Sequence, residues 1–177
     1  MTDTQWPRYE VFVQERPGRP HQHAGSVHAP DDEIALQNAR DVFVRRPECI
    51  SLWVAPAAAI TGVTAQELAE RGAAPEAQAD GDDHAFEVFA KVEQRGTLIH
   101  IGQVAASSAA VALAASRRLA DANGALVLWV VPSGRVTRSD EADVAPMFAP
   151  ASTKAYRDQA FYHVQTALQR MRRSRQP

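Results

Sequence analysis

Tyr9-Glu10-Val11-Phe12 returns 77 positions later as Phe86-Glu87-Val88-Phe89. His23-x-Gly25 returns as His100-x-Gly102, Ala35-Leu36 as Ala112-Leu113 and Arg40 as Arg117, all at that offset. One residue is then lost, so that Leu52-Trp53-Val54 and Pro56 return as Leu128-Trp129-Val130 and Pro132 at an offset of 76. The chain has three Trp, and two of them fall in register. A repeat of this length constrains the fold more than any single motif, because each copy must be the same supersecondary unit. The sequence therefore divides into a first module over 1–64, a linker over 65–83, a degenerate second module over 84–150 and a C-terminal segment over 151–177. The linker is rich in Ala, Glu and Asp with Gly and Pro, a composition that buries little surface. A short helix over Ala65–Arg71 is expected to open it.

Within each copy the pattern is β-β-α-β. Tyr9–Gln14 alternates and is rich in aromatic and β-branched residues, which puts Tyr9, Val11 and Val13 on one strand face and Glu10, Phe12 and Gln14 on the other. Pro17-Gly18 is a turn, and a second strand runs from His21 to His28. The second copy writes the same hairpin as Phe86–Glu93 and Leu98–Val104. A helix follows, with Asp31 and its counterpart Ser108 as N-caps, since a short side-chain oxygen accepts a free first-turn N–H. Ala35, Ala39, Val42 and Phe43 form its expected apolar stripe, and Ala112, Ala115, Leu119 and Ala122 the stripe of the second helix. Pro47 ends one helix and Asn123-Gly124 the other. Third strands are expected over Ile50–Ala55 and Ala125–Val131, the latter apolar enough to be covered on both sides. The fold class is α+β: two tandem modules, each a small sheet with one helix packed on it, arranged with pseudo-twofold symmetry.

Few chemistries survive a motif search. The formal charge of −2 gives no global argument for nucleic acid or a membrane surface. A lone Cys49 excludes an internal disulfide and a multi-cysteine metal site. Met1–Pro7 is polar with no apolar core of a signal peptide, so a cytoplasmic protein is expected. No phosphate-binding, dinucleotide-binding or nucleophile-elbow glycine motif occurs. His21 and His23 share a strand face and lie near His28, which is compatible with a metal or ligand site. Only His23 recurs, however, and structural or surface roles fit all three. Glu10 recurs as Glu87, a pattern that suits an interface anchor as well as a base. Trp53 and Trp129 line a pocket or fill a core.

Several motifs agree in order and spacing with a known family. Trp6-Pro7-x-Tyr9-Glu10-Val11-Phe12-Val13, His21-x-His23-x-Gly25-Ser26-x-His28-Ala29, Ala35-Leu36-x-Asn38-Ala39-Arg40-Asp41, Arg45-Arg46 and Trp53-Val54 resemble the small B component of the phenylacetyl-CoA ring-1,2-epoxidase. Lys154-x-Tyr156-Arg157 and Phe161-Tyr162 resemble that family's C-terminal segment. The first module matches closely and the second weakly. The resemblance implies a non-catalytic bridging subunit without a cofactor or metal of its own. Its partners would be a helical di-iron catalytic subunit and a related helical structural subunit of the monooxygenase complex of phenylacetate degradation. Tyr9, Glu10, His21, His23, His28, Arg40, Tyr156, Arg157, Phe161 and Tyr162 are then the candidate partner-contact residues, with Glu10→Lys expected to weaken assembly and spare the fold. The alternative is a stand-alone small-ligand or metal-binding protein using His21, His23, His28 and the two Trp residues.

Overall fold

The computed structural model describes residues 6–44, 49–70, 83–140, 142 and 144–152. In chain order the elements are β1 (Arg8–Gln14), β2 (Gln22–His28), α1 (Asp32–Phe43), β3 (Ser51–Pro56), a 3-10 turn (Ala57–Ala59), β4 (Thr61–Thr64) and α2 (Ala65–Glu70). The second half repeats them as β5 (His84–Lys91), β6 (Leu98–Ala106), α3 (Ala109–Ala115), α4 (Arg117–Asn123), β7 (Val127–Pro132), a 3-10 turn (Ser133–Arg135), β8 (Thr137–Arg138) and α5 (Val144–Ser152). The class is α+β, as the sequence implies. Each half carries a further strand and helix beyond the expected β-β-α-β. No helix among the described residues is long and apolar enough to cross a membrane.

The eight strands among the described residues form one antiparallel sheet in the order β4-β7-β5-β6-β2-β1-β3-β8. β4 leaves the first half and pairs with β7 of the second, while β8 leaves the second and pairs with β3 of the first. The helices follow their strands across. Leu68 of α2 packs into the second half's core, and Phe148 of α5 into the first half's. Each half-sheet is therefore finished by the other half's chain.

Each half has a core between its sheet and its helices. Tyr9, Val11, Val27, Ala35, Ala39, Leu52 and Val54 make the first, and Phe86, Val88, Ala112, Leu113, Leu128 and Val130 the second. A third core lies on the opposite face of the sheet. Phe12, Ala55, Phe89, Leu98, Val131 and Val136 form it, with Trp53 and Trp129 against it. Phe12 and Phe89 stack there with ring centroids 4.0 Å apart. β1 and β5 are three strand spacings apart in the order, about 14 Å on a flat sheet. The sheet must therefore curl until its helix-free face closes on itself. The turning point is the β2–β6 junction, which holds a single register pair, Gln22 with Ile99, beside His100 N donating to His21 O at 2.8 Å.

The recurring His-x-Gly motif makes this seam. The β1–β2 register slips between Val11 and Phe12, which face Gly25 and His23, and the β5–β6 register slips at the same place, with Val88 facing Gly102 and Phe89 facing His100. One extra residue per bulge switches the following side chain to the other face. Gly25 thus lies under α1 while His23 joins Phe12 in the seam. The bulge glycines take φ of +144° and +146°, a conformation L side chains rarely adopt. A Cβ at Gly25 would also lie 2.8 Å from Phe43 Cζ, whereas at Gly102 the nearest atom is Leu119 Cδ1 at 3.5 Å. Gly25→Ala should cost about 1–3 kcal/mol and more than Gly102→Ala, as read from urea unfolding midpoints.

The helices begin and end largely as the sequence says. Asp31 Oδ1 accepts from Ile34 N at 2.8 Å, Ser108 Oγ accepts from Val111 N at 3.4 Å, and Gly124 closes α4 at φ +63°. The expected helix over Ala65–Arg71 is α2, and Pro47 lies outside the described residues. Two features differ. The second helix is broken at the buried Ser116, whose hydroxyl donates back to Ala112 O at 2.7 Å and loosens the turn. The second stripe is also shifted, with Ala115 and Ala122 exposed and Leu113, Ser116 and Ala120 buried, whereas in the first Ala35 and Ala39 are buried, Phe43 packs on the core and Val42 is exposed.

Candidate functional site

The chemistry-bearing side chains gather in the seam. Glu10 and Glu87 project from β1 and β5 on the same face as Phe12 and Phe89, and are 6% and 3% exposed. A buried carboxylate needs hydrogen-bond donors, and each takes one from the histidine that its bulge turns inward. His23 Nε2 lies 2.7 Å from Glu10 Oε2, and His100 Nε2 lies 2.8 Å from Glu87 Oε2. The rings complete the layer. His21 stacks on Trp53 at 3.7 Å, His23 meets the edge of Trp129 at 5.3 Å, and His100 meets the edge of Trp53 at 5.2 Å.

The two Glu-His pairs are not equally supported. Glu87 Oε1 accepts from Arg138 Nη2 at 2.7 Å, Ser133 Oγ at 2.9 Å and Gln103 Nε2 at 3.0 Å. Arg138 comes from β8, on the first half-sheet, and its guanidinium lies 4.8 Å over the Trp53 ring before it reaches Glu87. It thereby ties the halves together. Burial alone would push the Glu87 carboxyl up. The bonds from His100, Ser133 and Gln103, with the His100 charge, outweigh that and bring it down to about 2. Glu10 Oε1 has the Arg8 guanidinium at 3.1 Å, from its own strand. The position equivalent to Arg138 is Gly62, where a Cβ would lie 2.8 Å from Trp129 Cδ1. The indole occupies the space the arginine takes in the other half.

His21 is 7% exposed, with Nε2 2.9 Å from Ser51 Oγ. Burial lowers its pKa to about 4, helped by the positive charges of His100 and Arg138. Its counterpart is Leu98, an apolar member of the same core. The unfolded chain protonates His21 near its ordinary 6.5 and the folded chain only near 4, so in that window the unfolded state binds more protons. Stability should fall as pH falls from about 6.5 to about 4, by on the order of 1–3 kcal/mol. Glu87 acts in a lower window, its contribution being lost as pH falls from 4.5 towards 2. His21→Leu should flatten the upper window and leave the lower one, as read by thermal melts across pH.

The other candidates fall in different places. Tyr9 is buried towards α1, where burial, and then its hydrogen bond to Asp32, raise its pKa. His28 is exposed, and its Nδ1 donates to Trp6 O at 2.8 Å, so it does not join His21 and His23. Arg40 pairs with Asp41 at 3.0 Å on the outer face of α1. Tyr156, Arg157, Phe161 and Tyr162 lie outside the described residues. Cys49 is buried, and burial pushes its thiol up to about 11, far from a reactive thiolate. Among the described residues no group of three or more His, Cys, Asp or Glu is placed to hold a metal ion. Burial also changes the expectation for Glu10→Lys. An ammonium set against Arg8 and His23 inside the seam would not leave the fold intact.

Sequence reasoning singled out the Glu, His and Trp recurrences but not the network that completes them. Arg138, Ser133 and Gln103 have Gly62, Ala57 and Ser26 as counterparts, so the repeat gave them no signal.

The sequence family described as phenylacetic acid degradation B matches residues 5–77 and 83–169, one segment in each half. The B component of the 1,2-phenylacetyl-CoA epoxidase of Escherichia coli (strain K12) is 46% identical over 70 residues, which are 40% of this chain and 74% of that protein. No solved structure matches the chain significantly.

Proposed function

The chain belongs to the phenylacetic acid degradation B family, and from that premise we propose that it is a non-catalytic bridging subunit of a phenylacetyl-CoA epoxidase-like monooxygenase in phenylacetate degradation. It acts in the cytoplasm and assembles a di-iron catalytic subunit with a related helical structural subunit. The observation that carries this reading is the engagement of the recurring acids and histidines with each other. Glu10 holds His23, and Glu87 holds His100, Arg138, Ser133 and Gln103. Groups bound in this way reinforce the seam of a rigid scaffold and are poorly placed to meet a substrate.

The scaffold is read as two modules about a pseudo-twofold axis, as in an isologous dimer carried on one chain. Exchanging each strand for its counterpart turns the strand order into its own reverse, which supports that arrangement. The segment over 151–177, with Tyr156, Arg157, Phe161 and Tyr162, is proposed to dock on a partner or on the other module. Affinity capture of the tagged chain from cells degrading phenylacetate, followed by mass spectrometry, tests the function. The other epoxidase subunits should be the main proteins recovered; their absence would contradict the reading.

A further inference from the structure

The two halves share a fold but differ at one end of the curled sheet. In the second half Gln103 and Ser133 bridge that end, bonding to each other at 3.0 Å and both to Glu87. In the first half the same positions carry Ser26 and Ala57, side chains too short to make that bridge. Trp6 stands there 59% exposed. It is not a loose terminus: its carbonyl accepts from His28 Nδ1 at 2.8 Å, and the next carbonyl, of Pro7, accepts from Ala29 N at 3.1 Å. Arg8, two residues on, has a side chain 58% exposed, with its Nε on Glu10. The second half has Asp83, Ala85 and Ala105 where the first has Trp6, Arg8 and His28.

A large aromatic ring held out on a fixed backbone, beside an exposed guanidinium, combines two residue types enriched at interface hot spots, and the pinned backbone loses little freedom on contact. Building on the subunit role above, we infer that this end of the first half, and not its counterpart in the second, is the surface on which a partner subunit docks. The charge of Arg8 sets the chemistry of that partner. It presents a carboxylate to the guanidinium beside an apolar socket for Trp6. Duplication has thus left one half to bind and the other to brace.

The test is co-expression of the full chain with the other epoxidase subunits, comparing the tagged wild type with Trp6→Ala, Arg8→Gln and Asp83→Ala. Wild type and Asp83→Ala should co-purify with the partners, while Trp6→Ala weakens the association by roughly 30-fold or more and Arg8→Gln weakens it to a lesser degree. Melting temperatures separate this from misfolding. The exposed Trp6 ring contributes little to the core, so Trp6→Ala should melt like the wild type. If the wild type assembles and Trp6→Ala and Arg8→Gln assemble equally well, the inference is overturned and the subunit role stands. If the wild type itself does not assemble, both fail.

Discussion

Phe12→Ala should destabilise the whole chain by about 3–5 kcal/mol, and it should do so in a single transition. Phe12 is fully buried, and its ring stacks on Phe89, which comes from the other half of the sequence. Truncation removes the transfer energy of the ring and leaves a cavity where the curled sheet meets itself. The seam joins both halves, and β4, β8, α2 and α5 each complete the half they do not belong to. Neither half can then unfold without exposing the other. For a chain of this length the loss corresponds to roughly 6–20 °C in melting temperature. Phe89→Ala should behave alike. The double variant should lose less than the sum, since both single changes remove the same contact. Two separate thermal transitions, one per half, would contradict a shared seam.

Glu87→Leu should cost about 2–4 kcal/mol, and clearly more than Glu10→Leu. The reason is what each change leaves behind. Without the Glu87 carboxylate, His100, Ser133, Gln103 and Arg138 lose their common acceptor, and although Gln103 and Arg138 reach the surface, four donors are left where one acceptor held them. Arg138 is further confined, lying over Trp53 and donating to Ser133 O and Val136 O. Without Glu10, the exposed Arg8 can turn to water and, among the described residues, His23 is left facing the gap. Chemical denaturation of the two variants side by side reads this ordering directly. Equal losses would mean that the cross-half arginine adds nothing to the second pair.

Much of this architecture was legible because the repeat gives two readings of one pattern. The inward and outward faces of β1, the hairpins, the caps at Asp31 and Ser108 and the stop at Gly124 all follow from side-chain chemistry at fixed offsets. The stripe of the second helix was misplaced for a physical reason. Ala109–Ala115 is apolar at every position, so periodicity has no contrast from which to choose a face. β4 and β8 are four and two residues long, too short for a period of two to show. Their exchange between halves is a long-range pairing with no local signature. His23 and His100 were visible as recurrences, but only the bulges at Gly25 and Gly102 turn them into the seam. Arg138 was hidden because the position has diverged to Gly62, and a repeat reveals only what both copies keep.

The role proposed for this chain is to assemble an oxygenase without performing its chemistry. Its most direct test is size-exclusion chromatography with iron analysis, run on the chain alone and on the chain co-expressed with the remaining epoxidase subunits. The expected result is a chain that carries no stoichiometric iron by itself and elutes with the other subunits as one larger species. A chain that binds iron stoichiometrically on its own, or that elutes separately from every other subunit, would contradict it.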